Sequence, residues 1–345
     1  MPPLIRSCKI LGLIFFLAGL TVLSGRPISL AEEIELTALS SFSMNLEFSK
    51  DLQVFIKDVN RRGRGLVRIR YLGGPEIMPQ RQQVYALRRG VVDVTFSAST
   101  YLIGVAPEGD AFLGASITPF EARDNGAYDA IQEIWADKLN AYFLGWHQTG
   151  YRLHVYMRTY PAFRTDGLPD LEGLRVRTSP TYRPFLNALG ATPIDITSSE
   201  IYTALERGTV DAMAWTGVAM SNEGFQRFVH FRIDPGVLNA VMTLQVNLKR
   251  WLTLPSEVQS FLISESQIYE KESRDRFFSI AADEMRTLAE DGMTFVNLPP
   301  GIAENYQKLA ADAVWQRMAT RSPEAVTRLR PLFEPEWNGI VTQRD

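Results

Sequence analysis

Ala86-Leu87-Arg88-Arg89-Gly90-Val91-Val92-Asp93 returns 118 residues later as Ala204-Leu205-Glu206-Arg207-Gly208-Thr209-Val210-Asp211, with six of the eight positions identical. In both copies a helical pattern runs into a glycine suited to the left-handed turn that ends helices, and a short apolar run follows. A strand-like segment precedes each helix, alternating over Val67 to Leu72 and short over Thr192 to Ile196. Thr197-Ser198-Ser199-Glu200 has the spacing of a capping box opening the second helix, a structural role. Asp93 and Asp211 have the look of paired catalytic carboxylates, yet their matching contexts in separate halves suit residues that enter a strand.

Working outward from the repeat, apolar strands alternate with helices. Strands are expected near Ile34–Leu39, Val67–Leu72, Val91–Phe96, Tyr142–Trp146, Leu153–Arg158, Leu174–Thr178, Val210–Trp215 and Met242–Asn247. Helices are expected near Met44–Arg61, Pro79–Arg89, Phe120–Leu139, Thr181–Leu189 and Glu200–Arg207. Alternation of this kind implies an α/β fold, and its duplication implies two lobes facing one cleft. Ligands of such sheets sit beyond the carboxyl ends of the strands. That puts Phe96-Ser97-Ala98-Ser99 and Ala214-Trp215-Thr216 on opposite walls.

Ser256 to Asp291 contains neither proline nor glycine, 36 residues in all. One continuous helix of that length would reach about 54 Å. Its ends carry apolar residues, whereas Glu270-Lys271-Glu272-Ser273-Arg274-Asp275-Arg276 is polar on every face. Buried ends and a solvated middle suit a strut between lobes; two helices with a hidden break are the alternative. The expected division is a signal peptide over 1–31, lobe I over 32–152 plus 240–255, and lobe II over 153–239 plus 293–345. The spanning helix takes 256–292.

The first 31 residues read as an export signal. Arg6 and Lys9 precede an apolar stretch from Ile10 to Leu23, and Ser29-Leu30-Ala31 offers small residues for cleavage after Ala31. An uncleaved anchor is the alternative. Cys8 lies before the apolar stretch, so it is not a lipidated cysteine of the lipobox kind. The mature chain would then hold no cysteine, with 33 basic against 39 acidic residues. The acidic balance argues against nucleic-acid binding. Three histidines (His147, His154, His230) and one cysteine in the whole chain are too few for a structural zinc site or an iron–sulfur cluster. No nucleophile elbow, zinc-protease helix or phosphate-binding loop occurs. His147 and His154 lie close in sequence with no serine or thiol near them, which is weak evidence for catalysis. A cleft without an identifiable nucleophile favours a binding protein over an enzyme.

Linked motifs narrow this further. Leu171-Glu172-Gly173-Leu174-Arg175-Val176-Arg177, Leu189-Gly190-Ala191-Thr192-Pro193, Ser199-Glu200-Ile201-Tyr202-Thr203-Ala204-Leu205 and Gly208-Thr209-Val210-Asp211 stand in order. With Gly150-Tyr151-Arg152 and Arg89-Gly90-Val91-Val92-Asp93, the chain resembles the solute receptors of TRAP (tripartite ATP-independent periplasmic) transporters, of the dicarboxylate-receptor type. The resemblance implies a two-lobed periplasmic binding-protein fold that closes on an organic acid and docks on a membrane permease. It implies that Arg177 clamps the ligand carboxylate, that Arg152 assists and that Trp215 lines the pocket. Gln148, Phe42, Glu76 and Ser97 complete the expected ligand-binding set, although Trp215, Phe42 and Phe96 could equally be core.

Two departures from related receptors matter. Ala214 stands where one subgroup has a glutamate able to ligate a cation, so no metal is expected. Ser198 stands where sialic-acid receptors have phenylalanine, which argues against that ligand. The expectation is therefore a monomeric periplasmic receptor without a cofactor. A receptor for an ATP-driven importer or a sensor kinase, or less favourably an exported hydrolytic enzyme, remains the alternative.

Overall fold

The computed structural model describes residues 33–335, and the expected export signal lies outside the described residues. In chain order the first strands are β1 (Ile34–Ser40), β2 (Val67–Gly73), β3 (Val94–Ala98), β4 (Ala141–His147), β5 (Leu153–Met157), β6 (Ala162–Phe163) and β7 (Pro169–Asp170). They are followed by β8 (Arg175–Thr178), β9 (Thr192–Asp195), β10 (Ala212–Thr216), β11 (Phe231–Asp234), β12 (Met242–Asn247) and β13 (Thr294–Asn297). The first helices are α1 (Glu47–Arg62), α2 (Gln80–Arg89), α3 (Pro119–Asp124), α4 (Ala127–Ile134) and α5 (Arg183–Ala188). Then come α6 (Ile201–Glu206), α7 (Leu248–Thr253), α8 (Ser256–Glu290), α9 (Pro300–Ala319) and α10 (Pro323–Phe333).

Two sheets carry the lobes, ordered β2-β1-β3-β12-β4 and β9-β8-β10-β5-β11-β13. The first three strands of each order are parallel and the fourth is antiparallel to the third. β12 enters lobe I straight after β11 of lobe II, and β5 enters lobe II straight after β4 of lobe I. The two crossing segments pair with each other: Leu153 N–H donates to Leu238 O at 3.0 Å, and Ala240 N–H to Tyr151 O at 3.2 Å. The lobes are therefore joined by an antiparallel pair of crossing segments, and the expected two-lobed α/β architecture is present.

The sequence repeat is also a structural repeat. Gly90 and Gly208 take φ of +70° and +65°, a region open to glycine at little cost. In each turn the next N–H reaches back to the alanine that opens the quoted stretch, Val91 to Ala86 O and Thr209 to Ala204 O, both at 2.9 Å. Asp93 then accepts the Thr37 N–H of β1 at 2.8 Å, and Asp211 accepts the Arg175 N–H of β8 at 2.9 Å. Both aspartates bind the neighbouring strand where their own strand begins, and neither lies in a shared catalytic pair.

The strut is continuous: α8 has 35 residues with no break. Its centre differs from expectation, because Glu265, Ser266, Tyr269, Glu270 and Ser273 are buried. Lobe I supplies partners for them. Arg123 Nη2 donates to Glu270 at 2.8 Å, Trp146 N–H to Glu270 at 3.0 Å and Gln148 N–H to Ser273 Oγ at 3.0 Å. Arg276 pairs with Asp51 of α1 at 2.5 Å. At the far end Glu284 accepts from Ser221 N and Oγ, both at 2.7 Å, in lobe II. Burial raises the Glu270 pKa, and Arg123, Tyr128 and the Trp146 N–H oppose that rise.

Three further expectations are corrected. The helix expected over Phe120–Leu139 is α3 and α4, interrupted at Gly126, which sits at φ +87°. Thr197 bonds the Glu200 side chain at 2.5 Å instead of capping a backbone N–H. Residues 293–345, expected with lobe II, divide between the lobes where they are described. Tyr306 of α9 packs edge-on against Phe185 of lobe II, with ring centroids 5.1 Å apart. Trp315 and Met318 instead join Phe112, Trp135 and Trp146 in the lobe I core, as does Phe333 of α10.

Candidate ligand site

The carboxyl ends of β1, β3, β8 and β10 converge on a cavity between the lobes, of about 570 Å³ with its mouth included. Tyr151, Leu153 and Asn239 to Met242, from the crossing segments, form its floor. Lobe I contributes Phe42, Phe48 and the stretch from Ala98 to Tyr101, just past β3. Lobe II contributes Arg177, Ser179, Thr181, Tyr182, Trp215 and Thr216. The lobes also touch across the cleft. Arg81 Nη2 donates to both Asp195 oxygens at 2.8 Å, and the hydroxyls of Thr100 and Thr181 meet.

Among the described residues Arg177 is the only cationic side chain that lines the cavity, and no acidic one does. Period-two alternation directs Arg175 outward to Asp211 and turns Val176 into the core. Arg177 is 2% exposed, with its guanidinium carbon 5.2 Å from the Trp215 ring centre. Its Nε and Nη2 donate to Ile196 O at 3.0 and 2.8 Å, and its Nη1 donates to Ala214 O at 3.0 Å. Five N–H bonds minus three leaves one on each terminal nitrogen, a number and kind that a carboxylate can accept. Among the described residues no carboxylate pairs with it. Asp195 is taken by Arg81, and Asp211 by Arg175. Burial lowers its pKa, while nearby Tyr101, Tyr182 and Asp195 act the other way. A guanidinium titrates so high that it stays charged.

Of the expected ligand-binding residues, Arg177, Trp215 and Phe42 come together on the cavity. The other four are not among its lining residues. Arg152 alternates away from Tyr151 and donates to Val237 O at 2.7 Å; burial lowers its pKa to about 10. Gln148 is fully buried and ties α1 to α8, its Nε2 donating to Phe48 O at 2.8 Å and Tyr269 Oη at 3.2 Å. Glu76 accepts from Gly74 N at 2.6 Å, and the Ser97 hydroxyl donates to Ala98 O at 3.1 Å. Sequence reasoning missed Phe48, Tyr101, Tyr151 and Tyr182. Tyr151 carried a signal, since neighbours in an extended segment face opposite ways.

The histidines form no catalytic constellation. His147 lies 3.2 Å from Ser266 Oγ, both fully buried, and desolvation drives its pKa well down. His154 Nδ1 sits 2.9 Å from Asp234 in lobe II, and burial also lowers its pKa. Among the described residues no group of three His, Cys, Asp or Glu side chains is arranged to hold a metal. No described helix is long and apolar enough to cross a membrane.

The family described as bacterial extracellular solute-binding protein, family 7, matches residues 43–322. The chain belongs to this family. A monocarboxylate 2-oxoacid-binding periplasmic protein of Nostoc sp. is 25% identical over 287 residues, covering 78% of this chain and 77% of that one. Solved structures share the two-lobed fold. One is a TRAP transporter solute-binding protein of Bordetella bronchiseptica with calcium and picolinate bound. Its TM-score is 0.76 at 21% identity, covering 88% of this chain and 91% of that one. Another, from Desulfovibrio salexigens with bound orotic acid, has a TM-score of 0.77 at 17% identity, covering 88% and 99%. The family match runs from the loop before α1 to just past α9, so it takes in the strut and every cavity-lining residue except Phe42.

Proposed function

We propose that this family 7 solute-binding protein is an exported TRAP receptor. It captures a small organic acid between its lobes and delivers it to a membrane permease without chemical turnover. The observation that carries this reading is Arg177, a buried, permanently charged guanidinium on the cavity wall with two N–H bonds unspent and no carboxylate paired with it among the described residues. A buried charge without a partner is costly, and a ligand carboxylate would relieve it. Closure would strip water from the pair, so the lobes would favour the closed form when the acid is present. The relatives support the ligand class, since 2-oxoacids, picolinate and orotate are all carboxylates or their acids.

The test is calorimetric titration of small carboxylates against their uncharged amides, with analysis of the recovered ligand. Binding of an acid but not of its amide, with the acid returned unchanged, is the expected result. Amide binding equal to the acid, or conversion to product, would refute the reading. Exhaustive dialysis against a chelator is expected to leave affinity intact, because no acidic residue lines the cavity and residue 214 is alanine. Affinity lost to the chelator and restored by calcium would contradict that.

A further inference from the structure

We infer that the ligand has a single carboxylate and a compact apolar body, an inference that rests on the organic-acid reading above and narrows it. The lobe I wall is a run of rings. Tyr101 lies 5.9 Å from Phe42, Phe42 lies 4.8 Å from Phe48, and Phe48 lies 6.3 Å from Tyr151, centre to centre. Trp215 and Tyr182 line the cavity from lobe II. Its indole N–H being spent on Val218 O at 3.1 Å, Trp215 offers a ligand only ring surface. Such walls favour apolar or planar groups.

Part of the polar lining is already engaged. The hydroxyls of Thr100 and Thr181 meet each other, and that of Thr216 donates to Val218 O at 2.8 Å. Asn239 donates its amide to Ala115 O at 2.5 Å. The fully buried Ser99 hydroxyl has no hydrogen-bond partner among the described residues and can serve one further polar atom of the ligand; Ser179, Tyr101, Tyr151 and Tyr182 also bring hydroxyls to the lining.

A second carboxylate would find no second cation among the described lining residues. Arg152 is turned to Val237 O, Arg81 is paired with Asp195, and Arg317 with Asp110. None of the three lines the cavity. A dicarboxylate would therefore bury one unpaired charge. That penalty selects for a monocarboxylate.

The experiment titrates the mature chain with benzoate and 4-methylpentanoate, which carry one carboxylate and an apolar body. Succinate (two carboxylates) and gluconate (polyhydroxylated) are the contrasting probes. At least one of the first pair is expected to bind about 30-fold or more tightly than either of the second. In Phe42→Ala and Phe42→Leu the ratio of benzoate to acetate affinity should fall by about tenfold in the alanine variant and less in the leucine one. A ratio is insensitive to a loss of folded protein. Succinate or gluconate binding as tightly as benzoate would overturn the inference and leave the organic-acid reading standing. Failure of every carboxylate to bind would overturn both.

Discussion

Thr37 in lobe I and Arg175 in lobe II hold matching places, each donating its backbone N–H to the aspartate that opens the next parallel strand. Two residues further along the same strands the lobes part company. Lobe I has Leu39, 1% exposed in an apolar core, and lobe II has Arg177, 2% exposed on the cavity wall. One duplicated scaffold thus carries an apolar wall on one side and a single fixed cation on the other. The scaffold positions are set by backbone demands that any ligand would leave intact. The wall residues answer to the ligand, and there the two halves have no reason to agree.

The largest expected effect comes from removing the charge that lobe II alone supplies. Arg177→Ala should weaken binding of the true ligand by on the order of 2–5 kcal/mol, roughly 30- to several-thousand-fold. Arg177→Lys keeps the charge but loses the planar fork, so it should also bind poorly. Arg175→Ala, one residue pair away and turned outward to Asp211, is the control and should leave affinity unchanged. Titration calorimetry on the three variants decides it. Affinity within about twofold of wild type for both Arg177 variants, far below the ~2 kcal/mol expected, would remove lobe II's distinction.

A smaller effect tests the sameness of the scaffold. Asp93→Ala and Asp211→Ala should each destabilise the fold by about 0.5–1.5 kcal/mol, the net worth of a lost hydrogen bond, with little change in ligand affinity. Urea unfolding at neutral pH measures the loss. The Asp211 site should also show its effect in acid. The hydrogen bond from Arg175 holds the Asp211 carboxyl below its ordinary range, against a weaker opposing push from burial. A carboxyl depressed in the folded state adds stability that is present above its unfolded value, near ~3.9. That stability is lost as pH falls through the folded value. Asp211→Asn should therefore flatten the decline in stability below about pH 4. An unaltered decline would show that Arg175 does not hold this carboxylate in solution.

What could be read from the sequence follows the same division. The repeat disclosed the α/β alternation, the two lobes and the structural role of Asp93 and Asp211, because short-range glycine turns and strand entries leave local marks. The long helix was legible from the absence of breakers. The burial of its polar centre was not, since Glu270 meets Arg123 across 147 residues of sequence. The Arg177 expectation came from resemblance, as one arginine on a strand is otherwise unremarked. Phe48, Tyr101 and Tyr182 were invisible as site residues because an aromatic wall and an aromatic core share the same composition. Only folding the chain places their rings on the cavity.

The smallest expected effect lies where the two lobes meet. Arg81 of lobe I chelates Asp195 of lobe II, with the arginine about half exposed and the aspartate about a quarter. An exposed pair of this kind contributes up to about 1 kcal/mol. Most such pairs lie within one rigid body and show only in stability. This one spans the cleft, so it exists only while the lobes are together and biases the closed form alone. Its loss should therefore appear in binding, as a rise of up to about fivefold in Kd. The change should be carried by faster ligand release, since encounter with an open cleft does not use the pair. Asp195→Asn measured by stopped-flow should show that faster release, and the difference from wild type should shrink at high salt because the pair is screened there. Thr100 and Thr181, which also meet across the cleft, are neutral, so Thr181→Val should show no such salt dependence. If Asp195→Asn lowers the melting temperature and leaves release unchanged at every salt concentration, the Arg81–Asp195 pair is ordinary surface decoration and closure rests on the ligand and its arginine.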